Sequence, residues 1–191
     1  MLNLLSPYTR RTDEALMRRV ATEADERAYD TLYERHARRL MGFLCRQFCG
    51  DEALAADLMQ DTFLRVWASR QRFAPEAEFR PWLYTIACNL CKNEFRRRAQ
   101  TGLFRQETAA TAAPAGDSGA ERQLDAEAFR KALAREVEHL PPAQRMLYAL
   151  RFEEELPVAQ IATILALPEG TVKSRQHTLV QTLKQRLKPY E

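Results

Sequence analysis

Glycine is scarce in this chain of 191 residues, which contains only six. Runs that alternate apolar with polar side chains, the pattern of a half-buried strand, are also rare. The long segments instead repeat apolar residues every three or four positions, which is the period of a helix. Because 46% of the residues are hydrophobic, a normal share for a globular protein, the sequence predicts an all-α fold rather than a disordered chain.

The sequence also lacks the motifs of common catalytic sites. Its three histidines, His36, His139 and His177, are scattered, and there is no nucleophile elbow, no phosphate-binding loop and no HExxH. An enzyme, such as a metal-dependent hydrolase, therefore has no support. We expect no cofactor, no resident metal and no small-molecule substrate.

Long apolar runs are absent as well, since none reaches the roughly 18 residues that a membrane span requires. At the N-terminus, MLNLLSPYTRR places its charges after a very short apolar run, which is the wrong order for a signal peptide. We therefore expect a cytoplasmic protein, in which the four cysteines would be reduced.

Charge is nearly balanced, with a net of +3, but it is unevenly distributed. An acidic stretch contains Asp51, Glu52, Asp57 and Asp61, whereas a basic run lies at Arg96, Arg97 and Arg98. Separate surfaces of opposite charge suggest two partners, one of them a polyanion.

The helical pattern forms two blocks. The first predicts helices over 13–22, 26–48, 52–69 and 81–98, and the second over 121–139, 142–153, 157–165 and 170–187. Between them, residues 100–120 are rich in Ala, Thr and Gly and have no apolar period, which is typical of a flexible linker. We therefore predict two helical domains, 12–99 and 121–188, joined by a linker at 100–120.

The stretch PEGTVKSR, residues 168–175, has helix-turn-helix spacing with the short helix before it. In that motif the second helix enters the DNA major groove with its N-terminal residues against the bases. We predict that Gly170 lets the backbone turn and that Thr171 caps the second helix. Lys173 and Arg175 can then reach phosphate or guanine, and Ser174 is small enough for close approach. An ordinary helical hairpin with a solvated basic face fits the same spacing.

Four cysteines form two pairs, Cys45 with Cys49 and Cys88 with Cys91, each spaced to share one helix face. Four thiolates can bind zinc, but these pairs lie inside long helices rather than in zinc-knuckle turns. We favour small buried hydrophobic residues over a metal or redox site.

Several motifs together resemble one family, the extracytoplasmic-function (ECF) sigma factors. They are DEALAADLMQDTFLRVW and FRPWLYTIACNLCKNEFRRR in the first block, and LPPAQRMLYALRFEEELPVAQIATILALPEGTVKSR in the second. The resemblance covers almost the whole chain in the family's order. It implies a protein that binds core RNA polymerase, recognises the −35 and −10 promoter elements and helps to open the duplex.

The resemblance also implies roles for exposed helix faces. Asp57, Gln60, Asp61 and Leu64 share one face of their helix and correspond to the surface that docks on a clamp helix pair of the largest catalytic subunit. From the residues alone, they would be a solvated face. The −10 element would be read by the helix from Pro81 and the loop before it. The best candidates there are Asn89, Lys92, Asn93, Arg96 and Arg97.

The −35 element would be read by Thr171, Lys173, Ser174, Arg175 and His177. Many relatives continue with arginines just after KSR, whereas this chain has Gln176 and His177, so fewer phosphate contacts are available there. The resemblance further implies control by an anti-sigma factor, which in this family is often membrane-anchored. The alternative hypothesis is a one-component helix-turn-helix regulator that senses a metal or redox signal through its cysteines.

Overall fold

The computed structural model describes residues 7–101 and 121–188, with side chains in the second range from Glu127 onward. Within these ranges all regular structure is helical, which confirms the predicted fold class. The chain divides into two compact units, one built mainly from its first four helices and the other from its last four. The predicted linker lies largely outside the described residues, and the domain bounds 12–99 and 121–188 stay a prediction. No helix in the described ranges is both long enough and apolar enough to span a bilayer.

The N-terminal unit contains four helices and one short turn. They are α1 (Asp13–Glu23), α2 (Glu26–Gln47), α3 (Glu52–Ala68), a 3₁₀ turn (Arg70–Arg72) and α4 (Phe79–Gln100). Three of the helices begin at a side-chain cap, because Thr12, Asp25 and Asp51 each accept the backbone N–H three residues ahead. Such caps satisfy N–H groups that have no partner inside the helix.

All four helices contribute side chains to the core of this unit. Its largest fully buried side chains include Leu16, Met17, Leu32, Phe43, Phe79 and Tyr84. Phe43 and Tyr84 meet edge to face with ring centroids 5.2 Å apart, which joins α2 to α4. Because these rings are buried, each helix has a fixed rotation about its axis, and its exposed face therefore points in a fixed direction.

Helix α4 begins at Phe79, two residues before the proline that was expected to start it. Pro81 is still within the first turn, where its missing N–H has no helical partner to lose. The Phe79 N–H instead donates to Glu14 Oε1 of α1 at 3.3 Å. The first residue of α4 is therefore hydrogen-bonded to α1, and the sequence around Phe79 does not indicate this contact.

Asp13 ties α1 to α2. Its carboxylate accepts from Arg35 Nη1 at 2.6 Å and lies 2.6 Å from His36 Nε2. Burial acts to raise the pKa of Asp13, but the hydrogen bonds to His36 and Arg35 outweigh it and hold the pKa below the usual 3.8. The folded state therefore binds this proton less readily than the unfolded state, so the carboxylate stabilises the fold above about pH 4.

We predict that Asp13→Asn lowers the free energy of unfolding at pH 7 by about 1–3 kcal/mol, since bonds to a charged acceptor are lost. The wild-type advantage begins to fall near the unfolded-state pKa and disappears only below the lower folded-state pKa, so the difference in stability should narrow as pH falls below about 4. Urea unfolding between pH 7 and pH 3.5 measures this difference. Asp30→Asn, which changes an exposed acid on α2, should match wild type throughout. A gap for Asp13→Asn that stays constant with pH would contradict the prediction.

The C-terminal unit contains α5 (Glu121–Glu138), α6 (Pro142–Tyr148), a π turn (Ala149–Glu153), α7 (Val158–Leu165) and α8 (Glu169–Leu187). Residues 142–153, predicted as one helix, are thus an α-helix that widens into a π turn. Glu154 N–H donates to Ala149 O across five residues, and Glu155 follows with a left-handed φ of 56°. This change of path lets both Leu150 and Leu156 be buried.

Ala166 makes the turn between α7 and α8. Its φ is 55°, and the next N–H, of Leu167, donates to Ala162 O at 2.9 Å, as at a Schellman C-cap. Gly170 has no left-handed φ and lies in the first turn of α8, so the turn assigned to it was wrong. The cap assigned to Thr171 was also wrong, because α8 begins at Glu169 and Thr171 lies inside it. A single left-handed residue after Leu165 already reverses the chain.

We predict that Ala166→Gly stabilises the C-terminal unit by about 1 kcal/mol, because a Cβ in the left-handed region is strained. Ala159→Gly, at the second residue of α7, should destabilise it by up to about 1 kcal/mol, the cost of glycine in a helix. Thermal or urea unfolding compares the two. A loss of stability in both variants would mean that Ala166 is not strained.

Candidate functional site

The exposed face of α3 carries the predicted set Asp57, Gln60, Asp61 and Leu64, which we call the acidic face. All four side chains are exposed, and Leu64 is 57% exposed. Leu58, Phe63 and Val66 are buried on the other side of the helix. In the described part of the chain, neither Asp57 nor Asp61 has a hydrogen bond or an ion pair. An apolar side chain beside two such carboxylates is suited to a partner with a basic rim and an apolar pocket.

Aromatic contacts hold α3 on α2, and sequence reasoning did not find them. Tyr29 Oη donates to the backbone oxygen of Phe63 at 2.8 Å, and its ring meets that of Trp67 at 5.1 Å. Tyr33 lies against Phe63 at 4.7 Å. These contacts limit rotation of α3 about its axis, so the acidic face has a fixed direction. The four-residue spacing of the two aromatic residues within each helix was visible in the sequence, but the pairing between the helices was not.

The predicted DNA-reading side chains of α4 follow one polar face. Asn89, Asn93 and Arg96 are exposed, and Lys92 is half-buried. The spacing i, i+3, i+4 and i+7 places them in one row along the helix. An amide can hydrogen-bond to an unpaired base, and a guanidinium can bind its phosphate.

Arg97 is exposed, but it is already paired. Its Nε and Nη2 both donate to the Glu94 carboxylate at 2.7 Å. The same carboxylate accepts from Arg98 Nε at 3.0 Å, and Arg98 is buried. The hydrogen bond from Arg97 is the main reason that the pKa of Glu94 lies below its usual value. Sequence reasoning missed Glu94, although acid and base three and four residues apart on a helix are a known pairing signal.

The loop between the 3₁₀ turn and α4, which we call the pre-α4 loop (residues 73–78), is anchored at both ends by buried rings. Phe73 and Phe79 are buried with centroids 6.5 Å apart, and Phe73 also meets Trp82 at 5.3 Å. Between the anchors, Ala74, Pro75 and Glu76 are exposed. Both phenylalanines therefore belong to the core. The loop leads into α4, and the row of polar side chains begins at Asn89, about 15 Å along the helix from Phe79.

Helix α8 presents the other predicted set. Lys173, Ser174, Arg175 and His177 are exposed and Thr171 is half-buried, while Val172 and Leu179 anchor the helix in the core. Lys173 Nζ is 3.8 Å from Glu169 in a pair that water screens on both sides. A Cβ added at Gly170 would meet nothing within 4 Å, so the start of α8 is open to close approach. The backbone N–H groups of this first turn and the cations after it suit a phosphate backbone.

An apolar groove in the C-terminal unit was not predicted. It has a volume of about 230 Å³ and is lined by side chains of α5, α6, the π turn and α8, among them Phe129, Leu133, Tyr148, Phe152, Val180 and Leu183. Phe152 is exposed. The sequence signal, an apolar residue in the polar stretch RFEEE, is too short to reveal a groove formed by several helices.

The cysteines show little capacity for metal or redox chemistry. Burial raises the pKa of the Cys88 thiol, and it raises the pKa of Cys91 to about 12, so both stay protonated. Burial also raises the pKa of Cys45, while Cys49 is exposed at the end of α2. Among the residues that the structure describes, no three potential ligands come close enough to hold a metal ion.

Comparisons with known proteins match both units. Residues 32–101 match the family described as Sigma-70 region 2, and residues 130–177 match that described as Sigma-70, region 4. The RNA polymerase sigma factor CarQ of Myxococcus xanthus is 32% identical over 162 residues, covering 84% of this chain and 89% of the relative. The ECF RNA polymerase sigma-E factor of Escherichia coli is 26% identical over 185 residues, covering 93% and 95%.

Among solved structures, the fold is similar to that of the sigma factor RpoE in its complex with the anti-sigma factor NepR from Bartonella quintana. The TM-score is 0.61 at 24% identity, covering 84% of this chain and 96% of that chain. This likeness extends over the helices of both units.

Proposed function

Because the chain belongs to the ECF sigma factors of the sigma-70 family, we propose that its acidic face is the surface that docks on core RNA polymerase. As a member of that family, the chain is a transcription initiation factor. The observation that carries the proposal is the exposed Leu64, flanked on the same face by Asp57 and Asp61. Carboxylates at the rim steer a basic partner, and Leu64 supplies the apolar contact once the partner covers it.

The polar row of α4 and the pre-α4 loop then read the −10 element. Asn89 and Asn93 hydrogen-bond an unpaired base, while Lys92 and Arg96 hold the backbone of the separated strand. Arg97 contributes a phosphate contact after exchanging Glu94 for DNA. Extruding a base costs a few kcal/mol, which contacts of this kind offset.

The first turns of α8 read the −35 element as duplex. Lys173 and Arg175 contact phosphate or guanine, Ser174 and Thr171 allow close approach, and His177 reads a base where many relatives have arginine. With the proposed domain bounds of 12–99 and 121–188, the first domain carries the −10 contact and the second carries the −35 contact.

An anti-sigma factor controls the chain by covering surfaces in both units. RpoE, the solved relative, is bound to an anti-sigma factor. Leu64 on the acidic face and Phe152 at the apolar groove are exposed large apolar side chains in the described residues, and both offer such an inhibitor apolar contact. The chain performs no catalysis of its own, needs no cofactor and acts in the cytoplasm. A cysteine-based regulator is not favoured, since two of its four thiols are buried.

A gel shift with and without core RNA polymerase tests this function. The chain alone should bind a randomised duplex library weakly and without selection, and the holoenzyme should select a sequence with two elements. Tight, sequence-selective binding by the chain alone, as a dimer, would instead indicate a one-component regulator.

A further inference from the structure

The first turn of α1 holds the first residue of α4 by two routes. Glu14 Oε1 accepts the Phe79 N–H at 3.3 Å, although 65 positions separate the two residues. That N–H belongs to the group at a helix start that has no partner within the helix, so a carboxylate there gains both a hydrogen bond and a favourable dipole.

The second route passes through a histidine. Asp13, beside Glu14, lies 2.6 Å from His36 Nε2, and the His36 ring meets the Phe79 ring edge to face at 5.2 Å. Phe79 is itself fully buried. The backbone of Phe79 is thus held directly by α1, and its ring is held indirectly, through His36 of α2.

Phe79 is also the far anchor of the pre-α4 loop. The near anchor, Phe73, directly follows the 3₁₀ turn, against which α1 also packs. The positions of both ends of the loop therefore depend on contacts with α1, whereas the middle of the loop is exposed and accessible to a ligand. A shift of α1 against α4 would displace the loop relative to the polar row that begins at Asn89.

We propose that Glu14 is a positioning residue for promoter opening: it holds the start of α4, and with it the pre-α4 loop, in the arrangement that receives an unpaired −10 base. The inference rests on the proposed function of the loop and α4. Glu14 does not touch DNA in this proposal. Its effect should fall on opening of the duplex and spare both core binding and the −35 contact, which depend on α3 and α8.

The test uses holoenzyme assembled from core RNA polymerase and the full chain. Its DNA is a duplex selected by the wild-type holoenzyme from a randomised library, with 2-aminopurine in the −10 element to report unstacking. Glu14→Ala should reduce opening about tenfold, the effect of losing a hydrogen bond to a charged acceptor, while core affinity and closed-duplex affinity stay unchanged. Glu14→Gln keeps an acceptor and should restore most of the opening. Glu23→Ala removes an exposed acid at the other end of α1 and should match wild type.

A double variant separates positioning from simple capping. In Glu14→Ala/Glu78→Ser, a serine directly before α4 can cap the helix without any tie to α1. The proposal expects thermal stability to recover while opening stays low. Recovery of both, or normal opening in Glu14→Ala itself, would overturn it. Asn89→Ala distinguishes failure of this proposal from failure of the proposed −10 contact. If Asn89→Ala opens the duplex poorly and Glu14→Ala opens it normally, only the role of Glu14 is wrong. If both variants open the duplex normally, the −10 assignment is wrong.

Discussion

The double substitution Asp57→Arg/Asp61→Arg is expected to abolish binding of the chain to core RNA polymerase, with an affinity loss of roughly 100- to 1,000-fold. Both carboxylates are exposed, and neither has an intramolecular partner among the described residues, so the fold does not need them. On a basic partner surface, each reversal replaces attraction by like-charge repulsion, and the total loss corresponds to about 1.4–2 kcal/mol per site. Co-purification with core enzyme, or a fluorescence-anisotropy titration, measures the loss.

A matched pair on one helix provides the control. Asp61→Arg and Glu52→Arg make the same change at exposed positions of α3, nine residues apart and therefore on opposite faces, at about 100° per residue. Arginine at Glu52 opposes the helix dipole in the first turn, so this control is the more destabilising of the two by about 0.3–1 kcal/mol. If Glu52→Arg weakens core binding as much as Asp61→Arg, net charge and not the acidic face decides the interaction.

The helices and their exposed faces could be predicted because the information lies within each segment. Thr12, followed by two acids, marks the start of α1, and the observed cap agrees. On α3, the period that buries Leu58 and Val66 leaves Asp57 and Asp61 outside, since one helix cannot bury both sets. Lys173 and Arg175 on α8 follow the same logic, with Val172 buried between them.

Contacts between distant segments could not be predicted in the same way. Glu14 and Phe79 are remote in sequence, and nothing local to either indicates the hydrogen bond between them. The prediction of the turn between α7 and α8 was wrong for another reason. Gly170 tolerates a left-handed φ and the sequence therefore predicts the turn there, but the chain places that φ at Ala166, where packing of α7 and α8 outweighs the local preference. The groove around Phe152 needs the packing of several helices and has no signature in one.

Removing the cations at the start of α8 is the second large effect that we expect. Lys173→Ala/Arg175→Ala should reduce the affinity of the holoenzyme for its −35 element by roughly 10- to 100-fold, as expected if one or both residues contact a base edge. Both side chains are exposed on a helix whose core contacts come from Val172 and Leu179, so the C-terminal unit should keep its stability. Lys184→Ala, about three turns further along α8 on the side of Lys173, is the control for loss of an exposed cation and should bind like wild type.

The single variants then distinguish phosphate contacts from base contacts. A side chain that neutralises a phosphate should, when removed, weaken binding to all −35 sequences alike and reduce the slope of log affinity against log salt by about one. A side chain that reads a base should leave the slope nearly unchanged and relax selectivity at one position by roughly 1–3 kcal/mol. For Lys173, a compact charge already weakly paired with Glu169, we expect the first result, and for Arg175, whose guanidinium matches two guanine acceptors, the second. Titrations of both variants at several salt concentrations, against a −35 series with one base changed at a time, decide the assignment. If neither variant changes the slope or the selectivity, the first turns of α8 do not contact the promoter.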